Sequence, residues 1–181
     1  MISGIHRLLY ATDMGKNAAY VFGYATYLAK LTGAEIHLLH VVPELSDDLR
    51  FTLQAYVLDH DSRRAMLEER VEQAKARLLE RLARYWDTQS PENQDVRSQI
   101  VSVSVHEAFP PEQILKTAKE LDCDLIVIGA HAKGFTHTYL GGVAEKVLRR
   151  SRLPSLVVPI PEDSKIQAEI KAVDLGKRPA I

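Results

Sequence analysis

The chain of 181 residues contains a single cysteine, Cys123. This excludes an intrachain disulfide and any multi-cysteine zinc site, and it suits a reducing compartment. No excess of either charge is present. Lys plus Arg total 23 against 24 for Asp plus Glu, a net charge of −1. A dedicated nucleic-acid binder usually carries a basic excess, so no nucleic-acid partner is expected. Long hydrophobic runs are also missing. No stretch approaches the roughly 18 apolar residues of a membrane span, so no membrane insertion is expected. The apolar part of MISGIHRLLYATD is too short and too soon interrupted for a signal peptide, and a cytoplasmic location is expected.

The remaining composition, 46% hydrophobic and 26% charged, is that of a globular domain. Residues 5–11 read as a first strand that ends in the turn-rich Thr12 to Asn17. Apolar residues at 18, 21, 22, 25 and 28 give a helical stripe, which Gly33 stops. A second strand covers 34–42 and is closed by Pro43. Residues 44–61 show no clear period. Ser62 to Trp86 reads as a long helix with apolar residues at 67, 71, 74, 78, 82 and 85, and 87–95 as a polar loop.

The third strand is expected over 96–105. Strict alternation puts Ile100, Ser102 and Ser104 on one face and Val101, Val103 and Val105 on the other. Pro110-Pro111 opens a helix whose buried side is Ile114, Leu115, Ala118 and Leu121. Leu125 to Ile128 is a continuous apolar run, as in a parallel strand covered on both faces, and Gly129 ends it. A loop over 130–140 leads through Gly141-Gly142 into a helix ending near Ser151. Leu156 to Val158 is the last core strand. Beyond residues 1–160, the stretch 161–181 is a C-terminal extension. Within it Ser164 could cap a helix carrying Ile166, Ile170 and Val173, or the segment is a loose arm.

This β-α alternation implies an α/β fold, a five-stranded parallel sheet with helices on both faces. Such sheets take ligands beyond the carboxyl ends of their strands, at the switch point, which directs attention to the loops after strands one and four. After strand four, Gly129 to Gly134 and then Gly141-Gly142-Val143 open a helix. Five Lys or Arg and one Glu lie between Lys133 and Arg152. The segment reads either as a phosphate cradle or as a plain strand-to-helix turn. Asp13 could accept a hydrogen bond from an adenine amino group, or close an Asx-turn or cap the next helix. His131 and His137 lack the further ligands a zinc site needs. Ser102, Ser104 and His106 alternate along one strand and make no nucleophile–base pair. Cys123, between two aspartates, reads as a small packed residue with a raised thiol pKa.

Four segments together resemble the universal stress protein family over about residues 4–160. They are LLYATDMGKNA, IHLLHVV, PPEQILKTAKELDCDLIVIGAHAKG and LGGVAEKVLRRSRLPSLVVP. The resemblance implies strand order 3-2-1-4-5 and a homodimer through edge strand 153–159. It implies a small-molecule partner, ATP or AMP with magnesium as an optional companion, bound by a regulatory protein without metabolic catalysis. Adenine would meet Asp13 and the backbone at Val41. Phosphates would meet Gly129, His131, Lys133, Gly141, Gly142 and Val143. The chain departs from the family loop at four points. Ala132 stands for the second glycine, Gly142 for a Ser or Thr, and Ala108 for the glycine before the third helix, and the loop is one residue shorter. The alternative is a dimeric stress-associated interaction protein with a vestigial site. A nucleotide-processing enzyme would need an SGGxDS-like loop or an HxGH motif, and Thr12 to Asn17 offers neither. No regulatory partner protein is identifiable from the sequence.

Overall fold

The computed structural model describes residues 4–56, 59–130, 140–161 and 163–177. Five parallel strands, β1 (Arg7–Thr12), β2 (Glu35–Pro43), β3 (Ile100–Ala108), β4 (Leu125–Gly129) and β5 (Ser155–Val158), form one sheet in the order β3-β2-β1-β4-β5. This is the expected architecture. On one face α1 (Ala18–Thr32) and α3 (His60–Thr88) cover Leu8, Tyr10, Ile36, Leu38 and Val127. On the other, α5 (Pro110–Glu120) and α6 (Gly142–Arg150) cover Leu9, Leu39, Val41, Ile126 and Ile128. The central strands are therefore buried on both sides, which explains their unbroken apolar runs. Phe22, Tyr85 and Trp86 lock α1 to α3 through edge-on ring contacts with centroids 4.8–6.0 Å apart. Gly33 ends α1 in the left-handed conformation (φ 74°), its N–H donating to the Ala29 carbonyl at 2.8 Å.

Several expectations need correction. The stretch without a period contains α2 (Asp47–Tyr56). It buries none of its residues, so it carries no apolar stripe to read. The polar loop over 87–95 is largely helical. The long helix runs on to Thr88, and a short α4 (Pro91–Gln94) and a 3₁₀ turn (Asp95–Gln99) follow. Val96 sits in that turn, buried in the core, and the third strand begins only at Ile100.

The alternation of the third strand also breaks. Ile36 pairs with Ile100 but His37 pairs with Ser102, so Val101 is an extra residue, a β-bulge. The bulge turns Ile100 to the same core as Val103 and Val105 and leaves Val101 48% exposed. In the C-terminal extension α7 (Ser164–Asp174) packs on α1 and α3. Its cap is Asp163 rather than Ser164, and the Asp163 carboxylate accepts from the N–H groups of Lys165 (2.7 Å) and Ile166 (3.3 Å).

Candidate functional site at the carboxyl edge of the sheet

Strand order reverses between β1 and β4, and the loops leaving these two strands diverge there. The last paired row between β1 and β2 is Thr12 with His40, and Ala11 pairs with Ile128 on β4. Asp13 and Val41 are the residues that follow this last row, and Ala130 follows the end of β4. The His40 ring holds this edge through Nδ1 and the Thr12 carbonyl at 2.8 Å. Val41 is buried in the core under α5 and α6.

Asp13 is exposed, and its Oδ1 accepts the Gly15 N–H at 2.7 Å. The Asx-turn reading is thus correct for one oxygen. A carboxylate accepts several hydrogen bonds at once, so this turn and a ligand contact are compatible. Met14 follows in the left-handed region (φ 53°), its N–H bonded to the Thr12 hydroxyl at 3.0 Å. From α3, the Arg81 guanidinium donates to the carbonyls of Met14 and Gly15, the latter at 2.8 Å. Its other partner is Asp174 at 2.5 Å. Sequence reading missed this clamp, because nothing local marks a contact spanning 66 positions.

Gly129 has a packing reason for being glycine. A Cβ there would stand 2.9 Å from Val21 Cγ2, so the end of β4 can touch α1 only without a side chain. Gly141, the N-cap of α6, has φ 67° and ψ 140°, a conformation open to glycine and rarely to other residues. Gly142 is different, since a Cβ at this position meets nothing within 4 Å. The first turn of α6, including Val143, has no side-chain cap and presents backbone N–H groups at the helix start. His131 and Lys133 lie outside the described residues, as do His137 and Ala132. Ala108 ends β3 opposite Pro43. Among the described residues the non-glycine positions with positive φ are Met14 and Asp122, so the methyl of Ala108 forces no unfavourable backbone.

A Ser–His contact does form, but across strands. Ser102 Oγ lies 2.8 Å from His37 Nδ1, while His37 Nε2 is buried without a hydrogen-bond partner, 3.9 Å from Glu35. Burial pulls the His37 pKa down, favouring the neutral ring. The pair sits near the amino ends of β2 and β3, away from the carboxyl edge, and depends on the bulge that sets the β2–β3 register. Cys123 is buried, and burial more than its aspartate neighbours pushes its thiol up to about 11. Among the described residues no cluster of three His, Cys, Asp or Glu could hold a metal ion, and no helix is long and apolar enough to cross a membrane. A cavity of about 360 Å³ lies between α1 and α7 and is lined by Tyr20, Tyr24, Tyr27 and Tyr85.

A parallel sheet of order 3-2-1-4-5 with helices on both faces and a glycine-capped helix after β4 defines a doubly wound α/β fold. Comparison with known proteins specifies it further. The model of the universal stress protein family matches residues 4–159, and the chain belongs to that family. It is 28% identical over 153 residues to the universal stress protein MJ0577 of Methanocaldococcus jannaschii, covering 84% of this chain and 93% of that one. The solved structure of MJ0577 superposes with a TM-score of 0.58 at 20% identity, covering 89% of this chain and all of that one. Universal stress protein UspA from Lactobacillus plantarum gives 0.54 at 19% identity, over 87% and 99% of the two chains. These two superpositions establish likeness of fold.

Proposed function

We propose that the protein is a cytoplasmic regulatory protein that binds ATP or AMP at the carboxyl edge of its sheet and performs no metabolic catalysis. The observation that supports the reading is the β1–β2 register, which ends at Thr12 with His40, so that Asp13 and Val41 follow directly at the carboxyl edge, beside the strand leading to the glycine-capped start of α6. In this reading the Asp13 carboxylate accepts the adenine amino group, and the backbone at Val41 lies against the ring. The phosphates rest on the N–H groups of Gly141, Gly142 and Val143, where the helix dipole favours negative charge. Gly129, His131 and Lys133 complete the loop around them, and magnesium accompanies the phosphates where it is bound. The protein pairs as a homodimer through 153–159. Among the described residues β5 pairs with β4 alone, and its apolar outer edge is open to pairing with a second copy across a two-fold axis.

Mass spectrometry of nucleotide released from the purified protein tests the reading, with ATP or AMP as the expected mass. Two features favour a second reading. Gly142 offers no hydroxyl, and the loop is one residue short of the family spacing. If the purified protein carries no nucleotide and takes up none on titration, it is a dimeric interaction protein whose site has lapsed.

A further inference from the structure

We propose that Arg81 is a positioning residue for the loop that carries Asp13, and that the C-terminal helix α7 controls it through Asp174. The proposal rests on the nucleotide reading above for its effect on affinity. Its structural part stands independently of that reading.

Helix α7 lies outside residues 4–159, the stretch that matches the family, so it is an addition to the shared unit. Its grip on the domain is partial. Ile170 is buried and Ile166 and Val173 half-buried, and a cavity of about 360 Å³ remains between α7 and α1. Its last residue, Asp174, places a carboxylate at the negative end of the helix dipole, where acidic side chains are unfavourable. Arg81 offsets it, reaching across from α3 at 2.5 Å with its side chain 21% exposed.

The same guanidinium holds the β1–α1 loop. It donates to the carbonyl of Met14, a residue in the left-handed region that side-chain-bearing residues adopt seldom unless their surroundings hold them. It also donates to the Gly15 carbonyl at 2.8 Å, while the N–H of Gly15 donates to Asp13 Oδ1 at 2.7 Å. An unbroken chain of polar contacts therefore runs from Asp174 to Arg81 to Gly15 to the Asp13 carboxylate. The planar guanidinium fork, with five N–H donors, serves a carboxylate and two carbonyls at once. Removing the Asp174 charge leaves a largely buried cation without its counter-ion, and Arg81 must then turn toward solvent and release the loop. By linkage, a ligand that binds the held loop also favours the docked tail.

The test uses the full chain with Asp174→Asn, Asp174→Glu and Arg81→Lys. ATP affinity is measured by calorimetry, and amide hydrogen exchange is followed at Gly15, in α7 and in β4. The expected result is at least five-fold weaker ATP binding for Asp174→Asn and Arg81→Lys, faster exchange at Gly15 and in α7, and unchanged exchange in β4. Asp174→Glu recovers most of both effects. Added ATP should slow exchange in α7 of the wild type. Unchanged Gly15 exchange in Asp174→Asn overturns the proposal. So does ATP affinity within two-fold of a wild type that binds it. If the wild type binds no ATP, the nucleotide reading fails, and the Gly15 exchange alone decides whether the tail holds the loop.

Discussion

Replacing Gly129 with Ala separates packing from phosphate binding as the reason for glycine at the end of β4. The new Cβ would meet Val21 Cγ2 at 2.9 Å, several tenths of an ångström inside ordinary contact. Val21 cannot swing away, because a β-branched side chain in a helix is held to one χ1 rotamer. It is also buried in the core formed with Leu8, Tyr10 and Phe22. Overpacking of this kind costs about 1–3 kcal/mol. The lost flexibility of the unfolded chain returns about 0.4–1 kcal/mol, leaving a net loss of about 1–2 kcal/mol. Val21→Ala alone should cost about 2 kcal/mol for its buried methyl groups and the space they leave. In the double variant the methyl on residue 129 occupies that space, so the combined loss should fall short of the sum by about 1–2 kcal/mol. Urea unfolding at constant slope reads all three values. A neutral Gly129→Ala, or strict additivity in the double variant, refutes the packing argument. If the folded double variant also loses ATP binding, glycine at 129 serves the phosphates as well as the helix.

Gly142→Ser should be tolerated, since its Cβ meets nothing within 4 Å. Its hydroxyl should tighten ATP binding by about 0.5–1.5 kcal/mol in calorimetry, and a fall in the unfolding midpoint would refute the open geometry. The His37 pKa is lowered in the fold by burial, so the unfolded chain binds the extra proton first, and stability is lost as pH falls below about 6.5. His37→Gln should flatten the unfolding midpoint between pH 7 and pH 5, and an unchanged slope would assign the dependence elsewhere. Val157→Pro, in the edge strand, should yield monomer or aggregate by light scattering. A wild-type protein that is monomeric at micromolar concentration would contradict the dimer.

The parts of the fold legible in the sequence are those whose signal is local. The apolar run 125–128, the stripe from Ala18 and the stop at Gly33 each report on their own segment. Helix α2 is silent because it buries nothing. The bulge at Val101 is silent because it exists only in the pairing of β3 with β2. At the site, Asp13 and the glycine-capped helix stand out as a turn residue and a glycine pair, and family resemblance supplies their roles. Arg81 stays hidden for a physical reason. An arginine on a long charged helix looks like solvated surface, and only tertiary packing brings its guanidinium to Met14, Gly15 and Asp174. Gly129 is legible as a strand end, but its contact with Val21 needs the helix in place.

The central claim is that this edge of the sheet binds an adenine nucleotide with Asp13 as the acceptor of its amino group. Calorimetric titration of ATP into the wild type and Asp13→Ala, at fixed magnesium and salt, tests it most directly. The account predicts saturable binding by the wild type. In the variant, which should remain folded, it predicts a loss of about 1.5–3 kcal/mol, the range for a hydrogen bond to a charged group. Equal affinity of the two proteins, or no binding by a folded wild type, would contradict it.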